Sequence, residues 1–182
     1  VIEMGTPGAE ILGIHMEGPF FNPNKHNATS LEEVQTPSVR KAKKYIENAA
    51  GYLKYMTIAP EISGAAEVME YLNSQNVFVG CGHTEANAND FLKAKYHGMK
   101  SSVHTGNAMT QIDRRDVGLL GGALLDKDIY NEIICDFFHV SPQMIELMFK
   151  IKQDFSKFIM VSDSDALSGI ESGIYYTFGK KV

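Results

Sequence analysis

Short apolar runs separated by stretches of helical periodicity recur from one end of the chain to the other. The runs are Ile11 to Met16, Leu53 to Ile58, Val77 to Cys81, Lys100 to Val103, Asn131 to Cys135 and Phe158 to Val161. Each has strand length, and their nearly continuous apolar character fits strands buried on both faces. Between them, Pro37 to Ala50 sets Val39, Ala42, Ile46 and Ala49 on one helical side, and helical patterns also cover Glu61 to Asn73, Glu85 to Lys95 and Ser141 to Phe149. Ser141 followed by Pro142 marks a helix start, because the serine oxygen accepts a free N–H of the first turn and proline lacks an N–H only where none is needed. Strand and helix in alternation predict parallel strands joined by right-handed crossovers. That leaves a doubly wound sheet or a (β/α)8 barrel.

The polar residues at the ends of the runs decide between the two. A barrel draws functional residues from the C-terminal ends of several strands, whereas a doubly wound nucleotide fold concentrates its signal in one glycine-rich turn. Glu17, His83, His104, His139 and Asp163 follow successive runs, and no GxGxxG opens a helix. A complete barrel takes roughly 250 residues. With 182 residues and six strand-like runs, the chain is expected to form an α/β (β/α)8 TIM barrel in part, with strands missing at one or both ends.

Composition narrows the functional classes. A hydrophobic share of 44% and a charged share of 21% suit one globular core. The formal charge of -5 is mixed along the chain, which argues against a nucleic-acid partner. No apolar run approaches the roughly 20 residues of a membrane span, and no basic segment precedes an apolar core at the N-terminus. The sequence therefore reads as that of a cytoplasmic protein without a membrane partner. Cys81 and Cys135 both sit in apolar runs, as buried free thiols do.

Glu17, His83 and His104 each close an apolar run and precede small or turn-forming residues, in Glu17-Gly-Pro, Gly-His83-Thr and His104-Thr-Gly. Two imidazoles and one carboxylate are the donors a divalent ion such as zinc needs in a catalytic site that keeps one position open. A histidine at a strand end is also readily explained as a hydrogen-bonded packing residue. A carboxylate there has fewer alternatives, since it must be paired or bound to metal when buried. Asp163 and Asp165 in "FIMVSDSDAL" both qualify as a general base beside a metal, and alternation points them to the same side of a strand; a capping role for either is the competing explanation. The stretch "HTGNAMTQIDRRDVGLLGGALL" reads as a long glycine-rich loop. Its Arg114 and Arg115 suit a phosphate or carboxylate.

Taken together, "GIHMEGPFFNP", "GCGHTEANAND", "VHTGNAMTQIDRRDVGLLGGALL", "IICDFFHVSP" and "IMVSDSDALSGI" resemble, in order, the motifs of the N-acetylglucosamine-6-phosphate deacetylase family of the amidohydrolase superfamily. The resemblance implies a metal-dependent hydrolase of the TIM-barrel type, with the chain as the central part of its catalytic barrel and without the small β-sandwich of the family. It implies Glu17, His83 and His104 as metal ligands and Asp163 as the catalytic acid/base. Asn107, Ala108, Arg115 and His139 match the positions that bind the sugar phosphate and hydroxyls, and His15 is left as structural. The implied metal is zinc, one or two per subunit, with iron or another divalent ion as substitutes. The implied substrate is a small amino-sugar phosphate whose acetamide is hydrolysed in amino-sugar catabolism, and the implied assembly is a homodimer.

The chain departs from the family pattern at three places. Asn27-Ala28-Thr29 stands where Gly-Ala-His is common, Phe137 where the D-G-x-H motif has glycine, and Val117 where proline often follows. The alternatives are another metal-dependent amidohydrolase and an inactive, truncated piece of the deacetylase.

Overall fold

The computed structural model describes residues 2–165, 167–177 and 180–181, so Ala166 of the last motif lies outside the described residues. Six parallel strands form one sheet: β1 (Ile14–Glu17), β2 (Leu53–Ile58), β3 (Phe78–Cys81), β4 (Ser101–Ser102), β5 (Tyr130–Ile134) and β6 (Phe158–Val161). Five helices alternate with them: α1 (Val39–Asn48), α2 (Ala65–Ser74), α3 (Ala88–Tyr96), α4 (Gly118–Leu125) and α5 (Pro142–Lys152). The spatial order of the strands is the chain order, every neighbouring pair parallel. A doubly wound sheet reverses its order at a switch point; this one never does, and its path is that of a partial (β/α)8 barrel. A small antiparallel pair, β7 (Tyr176–Thr177) and β8 (Lys180–Lys181), follows.

Local chemistry sets the helix starts. Ser38 accepts the Lys41 N–H, Ser141 accepts the Met144 N–H with Pro142 at the first position, and Asn87 caps α3 while Asp90 reaches back to the Asn87 N–H. The strands then sort their residues by face. Met16, Met56, Ile58, Val79, Cys81 and Ile133 join a core with Val68, Met69 and Leu72 of α2, Phe91 of α3, Leu119, Leu120 and Leu124 of α4, and Ile145 and Met148 of α5. The opposite face carries His15, Tyr55, Thr57, Ser101 and Glu132, which contact one another. His15 stacks on Tyr55 at 3.8 Å between ring centroids and sits 2.8 Å from the Thr57 hydroxyl, and the Tyr55 hydroxyl donates to Glu132 at 2.6 Å. Sheet twist and alternation thus separate an apolar outer layer from a polar inner one.

Three readings of the sequence need correction. The segment taken as a continuous glycine-rich loop contains α4, seven of whose eight residues are buried. Its glycines answer to packing: a Cβ on Gly122 would meet the Phe91 ring of α3 at 2.6 Å, so a helix-disfavouring residue is what lets the two helices approach. The outermost strands β1 and β6 are not buried on both faces, and Ile14, Ile159 and Met160 are exposed, because each pairs on one side only among the described residues. Cys81 is a buried free thiol, but Cys135 lies just past β5 and is only partly buried.

Lys152, at the end of α5, is buried. Its ammonium donates to the carbonyls of Ala123, Asp126 and Ile129 and so closes the C-terminal end of α4 onto the start of β5. Burial pushes the Lys152 pKa down, against the raising effect of Asp126.

Candidate active site

Parallel strands direct their C-terminal ends to one rim, and the predicted residues lie there. Glu17 ends β1, His83 sits two residues beyond β3 and His104 two beyond β4. Glu17 Oε1 is 3.1 Å from His83 Nε2 and 3.0 Å from His104 Nε2, and the two Nε2 atoms are 3.1 Å apart. Both histidines are buried, while 39% of the Glu17 side chain remains exposed. Glu17 is therefore the member of the triangle that solvent reaches most.

Its orientation is set by neighbours. His83 Nδ1 donates to the Lys25 carbonyl at 2.7 Å, which leaves Nε2 with its lone pair in the neutral ring. The Phe21 ring stacks on His83 at 4.0 Å. Gly18 makes room for Phe21, because a Cβ there would meet that ring at 2.7 Å, and its φ of +80° suits glycine. His104 Nδ1 is buried without a hydrogen-bond partner among the described residues. Burial by itself would raise the Glu17 carboxyl, but hydrogen bonds from His104 and then His83 outweigh it and hold the group far below the usual carboxylate range. Burial pulls His104 down, yet the Glu17 carboxylate leaves its pKa raised. Two imidazole nitrogens and a carboxylate oxygen this close, all within 4.8 Å, match the donor set and reach of a divalent ion bound at about 2.0–2.2 Å. The residues fit a metal.

The triangle forms part of the lining of a cavity of about 840 Å³ that also includes Asn107, Asp136, His139, Asp163 and Asp165. Asp163 follows β6 and is close enough for its charge to raise the His104 pKa. Its neighbour Asp165 accepts the Leu167 N–H at 2.8 Å, a local turn that engages the competing carboxylate. His139 is paired through Nδ1 with Asp136 at 2.6 Å. The backbone N–H and then the imidazole of His139, followed by the Phe138 N–H, hold the Asp136 carboxyl down to about 2. Asn27, Ala28 and Thr29 line the same cavity. Ala108 does not line it, but its carbonyl accepts the Thr84 N–H at 3.0 Å beside His83. Arg115 is the predicted residue set apart: it is exposed in a turn closed by Asp113 and Asp116 and does not line the cavity.

Backbone conformation marks the same rim. Of the nine described non-glycine residues with positive φ, six (Asn27, His83, His104, Ala108, Phe137 and Asp163) cluster at the rim, where strain of this kind concentrates in functional sites. Sequence reasoning missed Glu61 and Glu132. Glu61 accepts hydrogen bonds from Asn22, Thr84 and Glu85; Glu132 is buried on the inner face. A carboxylate inside an apolar run, as Glu132 is, was the available signal.

No protein-family model matches the chain. Over 180 residues it is 34% identical to an N-acetylglucosamine-6-phosphate deacetylase of Bacillus subtilis (strain 168), covering 99% of this chain and 45% of that protein. It is 30% identical to an N-acetylgalactosamine-6-phosphate deacetylase of Escherichia coli O157:H7, covering 99% of the chain and 47% of the relative. Among solved structures, an N-acetyl-D-glucosamine-6-phosphate deacetylase mutant from Mycobacterium smegmatis, in complex with N-acetyl-D-glucosamine-6-phosphate, superposes with a TM-score of 0.89 at 27% identity. That match covers 93% of this chain and 44% of the other. The enzyme from Thermotoga maritima gives a TM-score of 0.82 at 30% identity over 91% of the chain and 44% of its own. The chain thus spans a little under half the length of the relatives it matches.

Proposed function

Because this chain belongs to the N-acetylglucosamine-6-phosphate deacetylase family, we propose that it carries the metal-binding part of a site that hydrolyses the acetamide of N-acetylglucosamine 6-phosphate to acetate and glucosamine 6-phosphate. The observation that carries the reading is the Glu17, His83, His104 triangle at one strand-end rim, with Asp163 in the same cavity. We assign the ion as zinc, held by those three side chains. When bound, it would supply an acidified water and a polarised acyl oxygen. Asp163 takes a proton from water as the water oxygen adds to the acetamide carbon, and returns it to the amine nitrogen as the C–N bond breaks, leaving acetate and the free amine. Asn107 and His139, both facing the cavity, hold sugar hydroxyls and phosphate, with Asp136 fixing the His139 ring. Arg115 engages the phosphate from the turn above the rim. Binding energy gathered far from the reacting carbon then orients the amide. The proposed assembly is a homodimer in the cytoplasm.

The test is acetate release from N-acetylglucosamine 6-phosphate by the purified chain, with zinc, after chelation, and in Asp163→Asn. Zinc-dependent release that falls roughly 10²–10⁴-fold in Asp163→Asn supports the reading. Release insensitive to chelation, or unchanged in Asp163→Asn, overturns it. A second reading, a metal-holding segment that does not turn over, is favoured by the exposed Ile159 and Met160 of β6; zinc binding without acetate release would establish it.

A further inference from the structure

Glu61 lies in the turn between β2 and α2, outside the metal triangle and outside the cavity lining. Three donors nonetheless converge on its carboxylate. Oε1 accepts the Asn22 side-chain amide at 2.8 Å and the Glu85 backbone N–H at 2.7 Å, and Oε2 accepts the Thr84 hydroxyl. Asn22 and Thr84 are buried, so removing the acceptor strips the Thr84 hydroxyl of its acceptor and leaves the Asn22 amide only a longer 3.4 Å contact to the Glu85 carboxylate, the costly case for a buried polar group.

The donors come from the two segments that enclose His83. Thr84 and Glu85 follow it directly. Asn22 belongs to the β1 loop, whose Lys25 carbonyl orients His83 Nδ1, whose Phe21 ring stacks on the imidazole, and whose Asn22 N–H donates to the His83 carbonyl at 2.9 Å. A side chain from a third loop therefore ties together both walls of the His83 position. His83 itself has a φ of +50°, a conformation that persists only where its surroundings impose it.

We propose that Glu61 is a positioning residue of the metal site: by tying the loop of Asn22 to the turn of Thr84 and Glu85, it fixes the direction in which His83 Nε2 points. This rests on the metal reading above and deepens it, since Glu61 touches neither metal nor substrate and acts through His83. Loss of such an outer partner typically weakens metal affinity about 10–100-fold.

The experiment is zinc titration of the purified chain against a chromophoric chelator, with the thermal melt of the zinc-free chain recorded for each variant. Glu61→Ala is expected to weaken zinc about 10–100-fold. Glu61→Gln should recover part of that loss, because its amide oxygen still accepts from Asn22 and Glu85 while its NH2 donates to the Thr84 hydroxyl. Leu72→Ala, a core truncation in α2, is the control for general loosening, and it should lower the melt while leaving zinc affinity within a few-fold of the parent. The proposal falls if Glu61→Ala binds zinc as tightly as the parent, or if Leu72→Ala weakens zinc as much at an equal drop in melting temperature. A parent chain that binds no zinc overturns the metal reading and this proposal with it; a parent that binds zinc, with an unaffected Glu61→Ala, overturns the positioning role alone.

Discussion

The two sides of the cavity are held in different ways. On the β1–β3–β4 side, Glu17, His83 and His104 sit in a web of stacking, backbone and carboxylate contacts, with both imidazoles buried. The groups proposed to hold sugar and phosphate are looser: His139 and Asp136, after β5, are half exposed and hold mainly each other, Phe138 next to them is 88% exposed, and Arg115, in the segment after β4, stands off the cavity. A divalent ion demands bond lengths within a few tenths of an ångström, so its donors need orientation from outer partners. A sugar phosphate tolerates looser contacts, which tighten when the substrate binds. Preorganisation is strongest where the geometric tolerance is smallest.

The sharpest way to break this comparison is at the carboxylate shared by both imidazoles. Glu17→Gln should cost more zinc affinity than the roughly 10–100-fold of an outer partner, read by chelator competition; retention of parental affinity would mean that the triangle is not the metal site. On the looser side, Arg115→Ala should raise KM for the phosphorylated substrate about tenfold or more, with zinc affinity unchanged and little effect on an unphosphorylated analogue. An equal effect on both substrates would count against a phosphate contact. The smallest effect concerns Asp136, whose pKa is lowered on folding to about 2 by His139 and Phe138. A depressed carboxylate binds protons less readily in the folded chain, so its stabilisation is full above the unfolded value near 4 and disappears as pH falls toward 2. His139→Ala removes the imidazole but keeps the backbone N–H bonds to Asp136, so it should flatten that part of the pH–melting curve only in part, and an unchanged slope would show that the imidazole contributes nothing.

The legibility of the site in the sequence follows the same division. Strand-end positions were readable because each member of the triangle follows an apolar run and has a glycine within two residues, a pattern imposed by short-range geometry. The choice between Asp163 and Asp165 was not, since alternation points both one way, and both line the cavity, with Asp165 alone accepting the Leu167 N–H. Helix α4 stayed hidden because Gly118, Gly121 and Gly122 lower helix propensity, and only the Phe91 ring on another helix explains Gly122. Glu61 was taken as a helix-start residue, and its three donors lie 23 to 39 residues away. Contacts at such separations leave no local pattern to read.

The unbroken strand order has a consequence for how such a site changes over time. Because the strands lie side by side in the order in which they are encoded, each βα loop is a separate station on the rim, joined to its neighbours by backbone bonds such as that from the Asn22 N–H to the His83 carbonyl and by side chains such as Glu61. A substitution around Phe137, in the loop after β5, alters one station and leaves the loops after Glu17, His83 and His104 intact, whereas one around Asn27 to Thr29 falls in the loop that follows Glu17 and orients His83. Variation in what the cavity admits can therefore accumulate in the loop after β5 without touching the triangle. Of the three places where the chain departs from its family's motifs, only Phe137 lies there, since Asn27 to Thr29 follow Glu17 and Val117 follows His104 on their own loops.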